Sequence, residues 1–146
     1  MIPIDPAIIA ITKQLLLAVF LGGSLGFERW LKRKPAGLRT YALVSLGACV
    51  FTMISVLGFA GDDKGYDPSR IVSQIVVGIG FLGAGIIFHK EDFVQGLTTA
   101  AGLWVTAAIG AAVGLHLYAL AIIATIFSLA IFFLLFDLEK TISRSS

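Results

Sequence analysis

The sequence predicts an all-α integral membrane protein, a compact bundle of five transmembrane helices with the N-terminus out and the C-terminus in. Three observations predict it. Of 146 residues, 58% are hydrophobic and 14% charged, whereas a soluble domain averages about 25% charged. Mean hydropathy is +0.95. The apolar residues also gather into runs close to the length that crosses a bilayer, since a hydrocarbon core of about 30 Å needs about 20 helical residues.

The helices follow in order. The first spans about residues 6–27, with Asp5 as N-cap and Pro6 at the first helical position. Lys13 lies near its outer end and can snorkel to headgroups. No basic stretch precedes the apolar run, so the segment reads as a retained span and not a signal peptide. The second helix covers about 38–60, the third about 71–88 and the fourth about 98–113. The fifth covers about 117–136 and carries no charge. Only Gly114-Leu115-His116 separates the last two. Together they form a single transmembrane domain over 1–146, and the ten residues after Phe136 hold no second folded unit.

Loop charge sets the orientation. Arg29, Lys32, Arg33, Lys34 and Arg39 lie around the first connection, Lys90 in the third, and Lys140 and Arg144 in the tail. With these inside, eight basic residues are inside and three (Lys13, Lys64, Arg70) outside, as cytoplasmic loops prefer. The net charge of +2 gives no argument for nucleic acid. The bilayer is the expected surroundings.

Glycine has a pattern of its own. Each helical glycine costs about 1 kcal/mol relative to alanine, and in membranes that cost is offset where helix backbones approach closely. Gly22/Gly26 and Gly110/Gly114 are small-xxx-small pairs. Gly78, Gly80, Gly83 and Gly85 crowd the third helix. All eight are expected to pack helices, within the bundle or at a homodimer face. Gly78 to Gly83 also spell GxGxxG, but a dinucleotide fingerprint needs a preceding strand and a βαβ unit, and this one lies inside an apolar run.

Charged and polar residues cluster at helix ends. Glu28, Arg29, Arg39, His89, Asp92, Thr98 and Thr99 fall at one end of helices one to four. Charges at that depth pair or line a wet cavity, and Glu28 with Arg39 is the expected pair. It is either a staple between two helices or part of a ligand or partner site. Thr98 and Thr99 open the fourth helix, where a cap or an anion site fits. At the other end Asp67 caps the third helix, with Pro68 at its first position. Arg70, three residues on, can pair with Asp67. Ser73 and Gln74 read as bonds to a neighbouring helix. Cys49 reads as packing, and with one cysteine there is no disulfide framework. His89 and His116 lack metal-site spacing, and Asp62-Asp63 is an ordinary solvated pair. No serine, cysteine or histidine constellation suggests catalysis, so the chain is read as a non-enzyme with no cofactor and no metal.

The motifs occur in an ordered series: Gly26-Phe27-Glu28-Arg29, Ala36-Gly37-Leu38-Arg39-Thr40, Asp67-Pro68-Ser69-Arg70-Ile71, Gly78 to Gly85, and Gly96-Leu97-Thr98-Thr99-Ala100-Ala101-Gly102-Leu103-Trp104. This series resembles the membrane domain of the MgtC/SapB family, over roughly residues 15 to 120. The resemblance implies a bacterial inner-membrane protein linked to magnesium limitation, acid tolerance, virulence and intracellular stress. It further implies action by contact with another membrane complex, such as the F-type ATP synthase. The alternative is a small magnesium or other ion transporter. Many members carry a C-terminal ACT-like domain, which has no counterpart in these 146 residues. The lack of an acidic relay within the helices favours the regulatory reading.

Overall fold

The computed structural model describes residues 5–58, 67–90 and 93–135. Within them lie α1 (Pro6–Leu31), α2 (Leu38–Met53), α3 (Ser69–Ala84), β1 (Phe88–Lys90), β2 (Phe93–Gln95), α4 (Leu97–Gly114) and α5 (Tyr118–Ala130). α2 and α5 each continue into a π-helical turn, Ile54–Gly58 and Ile131–Leu135.

Among the described residues four helical stretches are long and apolar enough to cross a membrane: Pro6–Leu31, Leu38–Gly58, Leu97–Gly114 and Tyr118–Leu135. The third expected span is different. α3 has 16 residues, about 24 Å at 1.5 Å per residue, and stops at Ala84 instead of continuing to 88. Ile86 and Ile87 donate to the Gly83 and Ala84 carbonyls and turn the chain. Phe88, His89 and Lys90 then pair antiparallel with Gln95, Val94 and Phe93. The connection between the third and fourth expected spans is therefore a hairpin, whose apolar residues suit a pleated strand. Gly96 closes it at φ +93, where an added Cβ would run into the Ile86 carbonyl, so only glycine fits.

The helix starts follow local chemistry. Asp5 accepts a hydrogen bond from Ala7 N at 2.9 Å, with Pro6 in the first turn. α3 begins at Ser69, two residues before the expected span and one after the expected first position, so Pro68 flanks the helix and does not open it. Asp67 still acts as a cap, because its Oδ1 accepts from Ser69 N at 2.9 Å. The turn between α4 and α5 is as tight as the three residues between them demand. His116 takes φ +61, and Leu117 N bonds back to Ala112 O at 2.9 Å.

α2 lies at the centre, between α1 and α4. An added Cβ on Gly22 would meet Ser45 Cβ at 2.5 Å and Tyr41 O at 2.7 Å. One on Gly26 would meet Gly37 O and Leu38 Cα, both at 2.8 Å. On the other side, Gly110 abuts the Ser45 backbone and Gly114 abuts Thr52 and Cys49 O. The buried stripe Tyr41, Ser45, Cys49 and Thr52 thus meets glycines of two helices. Gln14 joins α1 to the end of α4 by donating to Val113 O at 2.6 Å and Gly114 O at 3.2 Å.

α3 lies outside this core and buries only Ile79 and Gly83. Gly83 faces Ala100 Cβ at 3.5 Å, an ordinary contact. Gly78 and Gly80 have nothing within 4 Å of an added Cβ among the described residues, and Gly85 meets only carbonyls of its own preceding turn. Among the described residues nothing packs on Gly78 or Gly80 and only its own turn on Gly85, because α3 touches its neighbours along one narrow edge.

Candidate functional site

At its last turn α1 carries Glu28 and Arg29, 1% and 2% exposed. Two opposite charges withdrawn from water persist only if they neutralise each other. They do so here, as Arg29 Nε donates to Glu28 Oε2. The expected partner, Arg39, is exposed instead. The reason is helical geometry: Arg39 lies on the side of α2 that faces α3, away from α1.

Three further helices close over the pair. Phe132, in the π-helical turn after α5, puts its ring 3.7 Å from Arg29 Cζ, a cation–π contact. Tyr41, fully buried in the first turn of α2, donates its hydroxyl to Thr99 O at 3.0 Å. Gly102 makes room, since a Cβ there would lie 2.5 Å from Tyr41 Oη and 2.7 Å from Phe132 Cζ. The ends of α1 and α5 and the starts of α2 and α4 therefore converge at one end of the bundle. It is also the basic end, bearing Lys32, Arg33, Lys34 and Arg39.

Chemically the site is a neutralised ion pair with one acceptor left over. Glu28 Oε1 is buried and has no hydrogen-bond partner among the described residues. A buried acceptor of this kind normally has a donor, so Oε1 is open to a water or a ligand N–H or O–H. A divalent cation needs several oxygen ligands. No group of three or more His, Cys, Asp or Glu lies together among the described residues.

The other expected residues divide. Thr99 joins the site through its backbone carbonyl and is buried. Thr98 is exposed, and Gly96, not Thr98, is the cap of α4. Asp67 and Arg70 are exposed at the opposite end. There the hydrogen bonds from Ser69 hold the Asp67 carboxyl below its usual range, with Arg70 adding a smaller effect. No ion-pair contact joins the Asp67 and Arg70 side chains. Ser55 Oγ donates to Pro68 O at 2.6 Å and ties this end of α3 to α2. Asp92, with Asp62 and Asp63, lies outside the described residues. Sequence reasoning missed Tyr41, Phe132 and Gln14. Tyr41 carried a signal, a hydroxyl set in an apolar run one turn into a helix, whereas Phe132 is one of several phenylalanines in a featureless span.

Comparison with known proteins gives a consistent result. The MgtC family model matches residues 15–141. "Protein MgtC" of Salmonella typhimurium is 45% identical over 131 residues, 90% of this chain and 54% of its own length. "Protein MgtC" of Brucella abortus is 49% identical over 114 residues, 78% of this chain and 46% of its own. A protein of Escherichia coli K12 named "Putative magnesium transporter YhiD" is 44% identical over 122 residues, 81% of this chain and 57% of its own. The chain thus spans about half the length of the curated relatives it matches. No solved structure matches it significantly.

Proposed function

The chain belongs to the MgtC family of membrane proteins, and from that premise we propose that it is a regulatory protein of the bacterial inner membrane. It serves under magnesium limitation, acid or intracellular stress by binding another membrane complex. The F-type ATP synthase is the first partner to test.

The observation that carries this reading is the outer face of α3. Ser73, Val77, Gly80 and Ala84 recur at helical spacing and are all exposed. At Gly22, Gly26, Gly102, Gly110 and Gly114 a neighbouring helix fills the space that a side chain would take. On this face Gly80 has no such neighbour within the described chain, so its helix cost is offset only if another helix approaches from outside. The same reading puts the basic end of the bundle in the cytoplasm, supported by the eight-to-three split of basic residues.

The test is ATP-driven proton pumping in inverted membrane vesicles, with and without the chain. The chain is expected to lower pumping, and Gly80→Leu is expected to abolish that effect without lowering the melting temperature. Unaltered pumping with the wild-type chain overturns the choice of partner.

The second reading, a small magnesium transporter, follows the name of the Escherichia coli relative. Its best intramembrane ligand is Glu28, whose charge Arg29 already balances. Purified chain in liposomes holding a magnesium-sensitive dye separates the two: a flux signal favours transport and removes the regulatory reading.

A further inference from the structure

A lateral groove of about 610 Å³ runs between α2 and α3. Its walls are mostly apolar, with Thr40 and Gln74 the polar side chains besides Arg39, and two glycines widen it. Gly47 and Gly78 both line it, and neither has an atom within 4 Å of an added Cβ. It lies on the opposite side of α3 from Gly80. Its volume falls within the range of ordinary ligand sites. Along α2 it extends from Arg39 to Phe51, about 18 Å of helix rise. That is close to the depth of one leaflet, half of a core about 30 Å thick.

Arg39 sits at the mouth of the groove, at the basic end. Its side chain is exposed, and it makes no ion pair among the described residues. Beside it are the first backbone N–H groups of α2, whose flanking Gly37 supplies no side-chain cap. A guanidinium and a helix start at headgroup depth favour a phosphate. An apolar channel one leaflet deep favours an acyl chain.

We propose that the α2–α3 groove is a specific site for one anionic phospholipid, its phosphate on Arg39 and one acyl chain between Gly47 and Gly78. A second copy of this chain fits less well. Chains inserted the same way form an isologous interface, which would bring the partner's own basic end onto Arg39. The proposal does not depend on which complex the outer face of α3 binds.

The test uses the full chain purified in detergent and exposed to phosphatidylglycerol or phosphatidylcholine, with retained lipid counted by native mass spectrometry. Wild type is expected to retain one phosphatidylglycerol, at a preference of about fivefold over phosphatidylcholine, the scale of one basic residue at a membrane surface. Arg39→Gln is expected to bring the ratio near one. Arg33→Gln, an exposed arginine outside the groove, is expected to leave it unchanged. Gly78→Leu is expected to reduce retention of both lipids several-fold, with Gly47→Leu as a second filling variant if the first folds poorly. Three results overturn the site: equal effects of Arg33→Gln and Arg39→Gln, undiminished retention in the filled variants, or a lipid-free dimer cross-linked between two copies of a Gly47→Cys variant.

Discussion

Glu28 and Arg29 are neighbours in sequence and are both buried at the last turn of α1, so each depends on the other. Removing one strands an uncompensated charge, at about 3–5 kcal/mol for a buried pair. Arg29→Gln is therefore expected to lower stability severely, and Glu28→Gln with Arg29→Gln less than the sum of the singles. A double-mutant cycle on thermal melting in detergent checks this. Arg39→Gln, an exposed change, is expected to stay within about 0.5 kcal/mol of wild type. At the other end, Asp67 has a depressed carboxyl pKa. A group of that sign stabilises the fold above its unfolded pKa, near 3.9, and the benefit is lost as pH falls through the lower folded value. Wild type is expected to lose melting temperature on acidification below about pH 4. Asp67→Asn is expected to flatten that part of the profile. A wild-type slope retained in the variant assigns the effect to another carboxylate.

Among the helices, glycine acts in opposite ways. On α4, a Cβ at Gly110 would collide with the Ser45 backbone, which cannot move aside as a flexible side chain can. Gly110→Ala is expected to destabilise by about 1–3 kcal/mol, the usual range for overpacking. On α3, Gly80 meets open space, so Gly80→Ala is expected to stabilise the isolated chain by up to about 1 kcal/mol through helix propensity. Parallel melting curves of the two variants measure the contrast, and a loss at Gly80 matching that at Gly110 shows that α3 is packed in the isolated protein. The two positions look alike in sequence, each a glycine in an apolar helix. They differ because α4 is enclosed by α1, α2, α3 and α5, while α3 leans on the bundle by one edge.

At the scale of the whole molecule, three hydrogen bonds and one ring contact determine how the ends are arranged. Tyr41 to Thr99 puts the starts of α2 and α4 together. Phe132 over Arg29 brings the end of α5 to the end of α1. Gln14 to Val113 and Gly114 puts the start of α1 by the end of α4. The start of α1 and the end of α5 are therefore at opposite faces of the bundle, whether or not the 16-residue α3 reaches fully across. With the basic end in the cytoplasm, a C-terminal alkaline phosphatase fusion is expected to be inactive, since that enzyme works only outside. An active fusion reverses the proposed orientation.

The membrane class, five helices and the first, second, fourth and fifth spans were legible in the sequence, because apolar run length and charge placement are local properties and the bilayer fixes the length required. Gly22, Gly26, Gly110 and Gly114 were likewise legible as small-residue pairs. The partner of Glu28 was not. Arg29 and Arg39 are both close in sequence, and only the rotation of α2 decides that Tyr41 faces α1 while Arg39 faces α3. The hairpin that cuts α3 short was hidden for a similar reason. Ile86, Ile87 and Phe88 extend an apolar helix or pair as a strand equally well, until Gly96 brings the chain back against Ile86. Phe132 shows the same limit from the other side. Its place over Arg29 is set by how far α5 runs before its π-helical turn, and that length acquires meaning only when four helix ends meet.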